Sequence, residues 1–336
     1  MQEQHPEVQY GKTGVLLISL GTPDAPTYGA VRKYLAEFLS DPRVIETPKL
    51  IWLPILYGPI LTFRPMRSAK AYAKIWNKER DESPLRTFSR AQAEKLQATF
   101  GEDVEVAWAF RYGQPSTHDG LHELREKGCD HIILFALYPH YSATSMGTAY
   151  DKAFDVLKTM RWQPAIRTVP PYYKTDIFIT ALATSVTSSL STINWEPDTI
   201  LASYHSIPQS YFDAGDPYPC QCRTTSRLLC EKLMLTEEKL QTSFQSRVGP
   251  TKWVGPYTDK KVEELAKSGV KKLAVLAPAF SSDCLETLEE INMELRETFL
   301  EAGGTHFHYI PCLNDGPDGM AVLETVVRQE LSGWIK

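Results

Sequence analysis

The chain has 336 residues, 43% of them hydrophobic and 23% charged, with 36 basic against 41 acidic side chains. These fractions belong to a soluble globular chain of about two domains, or one large α/β unit, and exclude a disordered polymer or a bundle of membrane spans. The acidic balance excludes a general nucleic-acid binder, which needs a basic face to neutralise phosphates.

From the start of the chain, residues 1–14 are polar and lack the apolar stretch of a secretory leader. With six cysteines in no disulfide-like spacing, that predicts a reduced cytoplasmic protein. The apolar run Val15–Leu20 then ends in Gly21-Thr22-Pro23-Asp24, a buried strand running into a turn. Further on, Leu50–Phe63 reads LIWLPILYGPILTF, interrupted by Pro54, Gly58 and Pro59 and flanked by Lys49, Arg64 and Arg67. It is shorter than the roughly 20 apolar residues of a spanning helix. By composition it predicts a buried helix or a dimer contact ahead of a segment lying on lipid.

The rest of the chain shows a weak internal duplication. Leu124–Ser145 and Leu265–Glu286 each run from a helix end through a glycine stop and a continuous apolar stretch into a polar loop. Upstream, Phe110–Gly128 is echoed by Gln245–Gly269, and the run ending at Pro23 by the run ending at Pro208. Continuous apolar runs alternating with amphipathic helices are the pattern of parallel strands covered on both faces. The sequence therefore predicts two similar α/β halves, each an open doubly wound sheet. The first ends near Pro170-Pro171, the second begins before Ile200, and a last helix over 321–336 crosses back onto the first. Ligands of such sheets sit beyond the carboxyl ends of the strands, so those ends are the place to look.

The first-half ends carry Leu20-Gly21-Thr22, Arg111-Tyr112 and Tyr138-Pro139-His140-Tyr141; the second-half ends carry Tyr204-His205-Ser206 and Phe280 through Glu286. His205 closes the run TILASYH before a proline turn, which aims it into a crevice. A histidine that merely bonds a backbone carbonyl would read the same way, so position alone leaves its role open. Glu286 opens a helix whose apolar stripe runs through Leu285, Leu288, Ile291, Leu295 and Phe299. Its other face stacks Glu286, Glu290 and Glu294, with Asp283 one turn before. Glu294 and Glu297 read as a solvated face. Glu286 and Glu290, nearer the crevice, read as oxygen ligands for a divalent cation in transit.

Cys220, Cys222 and Cys230 form C-x-C-x7-C. Three thiols hold an iron–sulfur cluster only with a fourth ligand from elsewhere, and no zinc spacing is present, so free thiols are expected. No Gly-x-Gly-x-x-Gly, P-loop, Gly-x-Ser-x-Gly or His-Glu-x-x-His motif occurs in a fitting context, which removes support from dinucleotide oxidoreductases, NTPases, α/β-hydrolases and zincins.

Taken in order, GVLLISLGTP, EFLSDPRVI, SPLRTFSRAQ, FRYGQP, LYPHYSATS, SYHSIP, GDPYP, FQSRVGPTKWVGPYTD and APAFSSDCLETLEEI resemble the ferrochelatase family over nearly the whole chain, in wording nearest its proteobacterial branch. The resemblance implies two Rossmann-like halves, 1–170 and 171–336, each with a parallel four-stranded sheet and with a porphyrin cleft between them. The implied activity is insertion of ferrous iron into protoporphyrin IX to form protohaem, the terminal step of haem synthesis. His205 would be the active-site histidine, as proton acceptor or iron ligand, and Glu286 the catalytic carboxylate. Glu290 and Asp283 would join His205 and Glu286 around the metal, and Tyr72, Arg111, Tyr112, Trp253 and Phe280 would line the porphyrin pocket. The segment 50–67 would be an apolar lip on the cytoplasmic face of the inner membrane, which reverses the reading from composition.

No resident cofactor is implied, since Fe²⁺ is a substrate. Relatives with a [2Fe-2S] cluster place cysteines in a C-terminal tail, whereas this chain ends Trp334-Ile335-Lys336, or use four internal cysteines where this one has three. Homodimerisation is left open. The competing readings are a chelatase for coproporphyrin III or another metal such as cobalt, and a non-catalytic porphyrin carrier. A carrier needs the aromatic pocket but not both His205 and Glu286.

Overall fold

A computed structural model describes residues 9–335, so residues 1–8 of the polar N-terminal stretch and Lys336 lie outside the described residues. The first sheet contains β1 (Lys12–Gly21), β2 (Val104–Tyr112), β3 (Cys129–Ala136) and β4 (Ala165–Thr168). The second contains β5 (Thr199–His205), β6 (Leu240–Gln245), β7 (Lys272–Leu276) and β8 (His306–Ile310). Both are four-stranded, in the orders β2-β1-β3-β4 and β6-β5-β7-β8, with every pairing parallel. The two orders are the same permutation, so the duplication read in the sequence is a duplication of topology. In each sheet the chain reverses direction of growth at its first strand, which puts the ligand crevice at the carboxyl ends of β1 and β5.

The continuous apolar runs follow from burial on both faces. Successive residues of β1 point to opposite sides, as strand geometry requires. Val15 and Leu17 enter one core cluster and Leu16 and Ile18 another. The first of these clusters joins the halves, bringing Leu17, Phe135 and Tyr172 together with Tyr204, Phe244 and Val326. The last helix, Pro317–Leu331, packs on the helix Pro84–Phe100 and on β3 as well as on Asp176–Leu190, and so straps the second half to the first. The cleft thus has a continuous core for its back wall. Gly21 shows how tightly the β1 edge is drawn in. At φ +121° it has backbone only glycine adopts freely, and a Cβ there would meet the Tyr112 carbonyl oxygen at 1.8 Å.

The segment after Pro48 forms a lip. Helix Lys49–Ile55, a π turn Leu56–Ile60 and helix Leu61–Ile75 follow one another, the kink falling at Gly58, whose ψ of −106° is not helical. Below, Leu56, Leu61 and Tyr72 pack with Tyr34, Tyr112 and the half-buried Leu285. Above, Leu50 is 92% and Phe63 70% exposed, with Ile51, Tyr57 and Met66 also open.

His140 lies at the junction of the halves and is 1% exposed. Thr225 donates its hydroxyl to the Tyr173 carbonyl, so the 2.8 Å bond between His140 and Thr225 is a donation from Nε2–H. Nδ1 is buried without a partner among the described residues, inside a ring of Tyr173, Phe178, Tyr204 and Tyr218. Burial pushes this imidazole down to about 3. The unfolded chain takes up a proton near pH 6.5 that the folded chain refuses, so stability is full above that pH and falls as pH drops from 6.5 toward 3. The wild type is expected to lose stability in that window at a rate approaching about 1.4 kcal/mol per pH unit from this group. His140→Gln, compared by urea melts at pH 7.5 and 5, should show a flatter acid limb; equal slopes would remove the assignment.

Candidate active site

The loop after β5 is pinned before any side chain is considered. Ser206 N–H donates to the Gln245 carbonyl at 2.8 Å, Ser206 Oγ to the Val254 carbonyl at 2.7 Å, and Val254 N–H to the Ile207 carbonyl at 3.0 Å. Pro208 pairs with Trp253 as an isolated antiparallel bridge, which brings the loop carrying Trp253 alongside the one carrying His205. The half-buried His205 ring donates Nδ1–H to the Ser206 carbonyl at 2.7 Å. That bond fixes the tautomer: the proton is on Nδ1 and Nε2 offers a lone pair. Burial pulls the imidazole below its ordinary value against the opposing charge of Glu286, with Arg64 adding to the downward shift. The ring is neutral at pH 7.

Glu286 begins a π-helical segment, Glu286–Leu295, where the spacing predicts an ordinary helix. Its bonds run i→i+5, a geometry frequent at functional sites. The Glu286 main-chain carbonyl accepts Gln245 Nε2–H at 2.9 Å, and Gln245 Oε1 in turn accepts Ser203 Oγ at 2.6 Å. Glu290 comes next along the file. Its carboxylate accepts the Ser246 hydroxyl at 2.6 Å, and burial, reinforced by Glu286 and Glu294, pushes it up to about 7. Glu294 is exposed, 3.9 Å from Arg67 of the lip helix.

Asp283 does not join this file. Its Oδ1 accepts Tyr309 OH at 2.6 Å and Thr287 Oγ1 at 2.9 Å, and its Oδ2 accepts Asn314 Nδ2 at 2.7 Å. Asn314 Oδ1 accepts the Asp283 N–H at 2.8 Å in return. These bonds occupy both oxygens and make Asp283 the anchor of the loop that delivers Glu286.

Among the pocket residues, Tyr72 is buried in the cluster under the lip, and burial together with the Glu286 charge raises its phenol well above the usual range. Phe280 is half-buried at the carboxyl edge of β7, packed on the second-half core. Trp253 donates Nε1–H to the Val248 carbonyl at 2.9 Å, which sets the plane of its ring. Arg111 and Tyr112 are more constrained than the spacing suggests. Arg111 donates Nη2–H to Asp41 Oδ2, and its Nε–H to the Thr148 hydroxyl at 2.8 Å, while Tyr112 OH donates to the same Asp41 oxygen at 2.8 Å. Arg111 still borders a cavity of about 390 Å³ with Glu37, Ser40, Tyr57 and Lys152.

Several residues of the site went unrecognised in the sequence. Asp41 lies in EFLSDPRVI and Gln245 and Ser246 in FQSRVGPTKWVGPYTD, stretches that carry the resemblance without giving these residues a role, and Thr148 lies just past LYPHYSATS. Arg64, read only as a basic flank, is exposed on the lip helix and lies near enough to Glu286 to feel its charge. The hydroxyls of Thr22 and Tyr138 are buried on the first-half side without partners among the described residues. Such groups call for water or a ligand.

Cys220, Cys222 and Cys230 all lie on the helix Tyr218–Lys232. Cys220 is exposed and Cys222 buried, as two residues on nearly opposite faces must be. Cys230 is about 12 Å further along the axis and donates its thiol to the Leu235 carbonyl at 2.9 Å.

Comparison with known proteins gives the same picture from outside. The ferrochelatase family model matches residues 12–331. The chain is 55% identical over 334 residues to the ferrochelatase of Rhizobium meliloti strain 1021, covering 99% of this chain and 98% of that one. It is 56% identical over 326 residues to the ferrochelatase of Brucella anthropi, covering 96% and 93%. Among solved structures it is similar to SirB from Bacillus subtilis with Fe³⁺, at a TM-score of 0.57 and 12% identity over 96% of this chain and 99% of that one, a likeness of fold alone. The sequence matches run through both halves, the lip, and the strand ends that carry His205 and Glu286, with almost nothing left over on either side: the chain belongs to the ferrochelatase family.

Proposed function

We propose that His205 accepts the pyrrole protons, and that the Glu286–Glu290 file carries the metal, in the reaction this enzyme catalyses, insertion of ferrous iron into a porphyrin for haem synthesis. The observation that carries the reading is the Nδ1–H bond from His205 to the Ser206 carbonyl at 2.7 Å, which leaves Nε2 as the basic nitrogen at the crevice end of β5. Two N–H protons must leave the macrocycle as Fe²⁺ enters. A neutral imidazole takes a proton on Nε2, keeps Nδ1–H on the backbone as imidazolium, and releases it to solvent. Glu286 lies close enough for its charge to stabilise that cation. Carboxylates suit the incoming ion because oxygen ligands in sequence bind it without trapping it. Trp253 and Phe280, which keep open surface, supply apolar walls for the ring, Tyr72 and Tyr112 back them from the buried cluster under the lip, and part of the binding energy goes into buckling the ring.

The preferred porphyrin in this reading is protoporphyrin IX, loaded from a membrane surface. The lip exposes Leu50, Ile51, Phe63 and Met66 beside Lys49, Arg64, Arg67 and Lys70, the mixture that suits a segment lying at a lipid interface. No helix among the described residues is long and apolar enough to cross a membrane. Arg64 of the lip would supply a cation for a propionate. No resident cluster takes part, a reading supported by the divergent thiols of the Tyr218–Lys232 helix.

Anaerobic Fe²⁺ insertion, followed by loss of porphyrin fluorescence, tests this. Protoporphyrin IX in anionic vesicles is expected to give a higher kcat/KM than coproporphyrin III in solution. Phe63→Asp should lower the first value and leave the second unchanged. Preference for coproporphyrin, with Phe63→Asp silent on both, would replace the lipid-loaded substrate with the soluble one.

A further inference from the structure

We propose that Ser246 is a positioning residue for iron insertion, holding the Glu290 carboxylate in the metal file through its hydroxyl; the inference rests on the file reading above. Ser246 follows directly on β6 and has φ +66°, in the left-handed region. Glycine enters that region without cost and asparagine tolerates it, while other side chains are strained there. A glycine would therefore take this backbone freely, and what serine supplies in exchange for the strain is an O–H. That group is in use: it donates to Glu290 Oε2 at 2.6 Å, the short distance of a charge-assisted bond. Strain kept at a residue that touches a working group marks function more than packing.

The neighbouring residue does the matching task. Gln245 donates Nε2–H to the main chain of Glu286 at 2.9 Å. The dipeptide at the end of β6 thus holds two successive members of the file, one by its backbone and the next by its carboxylate. A glutamate side chain is otherwise free to swing about its rotatable bonds, and space for that exists. Ser246 and Glu290 border a cavity of about 240 Å³ shared with Arg247, Asp259 and Glu294. Arg247 is itself held by Asp259 at 2.9 Å and stacked over Tyr257 at 4.6 Å, so it does not take over the bond to Glu290. Without the serine hydroxyl the carboxylate has room to leave the file.

The test compares Ser246→Gly, Ser246→Asn, Glu290→Gln and the double variant Ser246→Gly/Glu290→Gln with the wild-type enzyme. Each is assayed anaerobically with Fe²⁺ varied at saturating porphyrin and with porphyrin varied at saturating Fe²⁺, and each is melted thermally. Ser246→Gly should melt no lower than wild type, because the strain is gone. It should raise the KM for Fe²⁺ about tenfold or more, the weight of one hydrogen bond to a charged group, and leave the KM for porphyrin unchanged. Ser246→Asn should recover most of the loss, since its amide N–H donates from the same backbone. The double variant should match Glu290→Gln alone, as two residues acting in one unit do. An unchanged Fe²⁺ KM in Ser246→Gly beside a raised one in Glu290→Gln would overturn the role of Ser246 and spare the file. So would a lower melting temperature with normal kinetics, or additive effects in the double variant. An unchanged Fe²⁺ KM in Glu290→Gln would overturn the file reading itself.

Discussion

Exchange of His205 for alanine is expected to lower kcat for Fe²⁺ insertion by about a hundred- to ten-thousandfold, the usual span for loss of a positioned general base. Porphyrin affinity, read from quenching of tryptophan fluorescence, should change little, because the walls of the pocket remain. The expectation follows from the tautomer. With Nδ1–H committed to the Ser206 carbonyl, Nε2 is the atom that takes the proton, and alanine supplies nothing in its place. Glu286→Gln should fall in the same range, since it keeps the shape of the side chain and removes both the metal-carrying charge and the partner of the imidazolium. Undiminished turnover in the His205 variant would move proton acceptance elsewhere, with the Glu290 carboxylate, pushed up to about 7, the next group to test. Loss of porphyrin binding in step with kcat would instead make His205 part of the wall.

Asp41→Asn should be the most destabilising single polar exchange around the cleft, by about 3–5 kcal/mol, the cost of stranding the partner of a buried ion pair. Asp41 is 6% exposed, and its Oδ2 serves Arg111, Tyr112 and Thr148 at once, while Oδ1 accepts the Arg43 N–H at 2.7 Å. Burial by itself would raise this carboxyl; the Thr148 and Tyr112 hydroxyls, the Arg43 amide and the Arg111 charge outweigh it and hold the group below its ordinary value. A depressed carboxyl contributes stability that is complete above the unfolded value of about 3.9 and disappears as pH falls through the lower folded one, so this network matters to acid stability only below about pH 4. The discriminating variant is Asp41→Asn/Arg111→Met, which removes both charges. It should recover a large part of the loss in urea melts at pH 7, because an apolar replacement of a buried pair is far cheaper than half of one. A double variant as unstable as the single one would show that the hydroxyl bonds, not the stranded guanidinium, carry the cost.

Both predictions depend on how much of the molecule is written locally. The two sheets were readable because strands buried on both faces must be apolar without interruption, and such runs stand out in any window of the chain. The repeat of those runs announced two similar halves, and the strand order then proved to be the same permutation in each. His205 stood out as a candidate for a related reason, being a polar residue that closes an apolar run at the sheet's carboxyl edge, while the roles given to His205 and Glu286 came from the family resemblance.

What stayed hidden was every feature set by a partner far away in the chain. Arg111 reads as a free pocket cation until Asp41, 70 residues upstream, is found on it. Asp283 reads as one more acid in the file until Tyr309 and Asn314 are seen to occupy its oxygens. The π-helical winding of Glu286–Leu295 leaves no trace in a four-residue spacing that fits an ordinary helix as well. Sequence by itself determined where the strands and the crevice lie and which polar residues stand near the strand ends, because burial periodicity is a property of neighbours along the chain. Tertiary structure alone decided which nitrogen of His205 is bare, which carboxylates are spent on structure, and how Glu290 is held, because hydrogen bonds reach only about 3 Å and their partners are chosen by the fold.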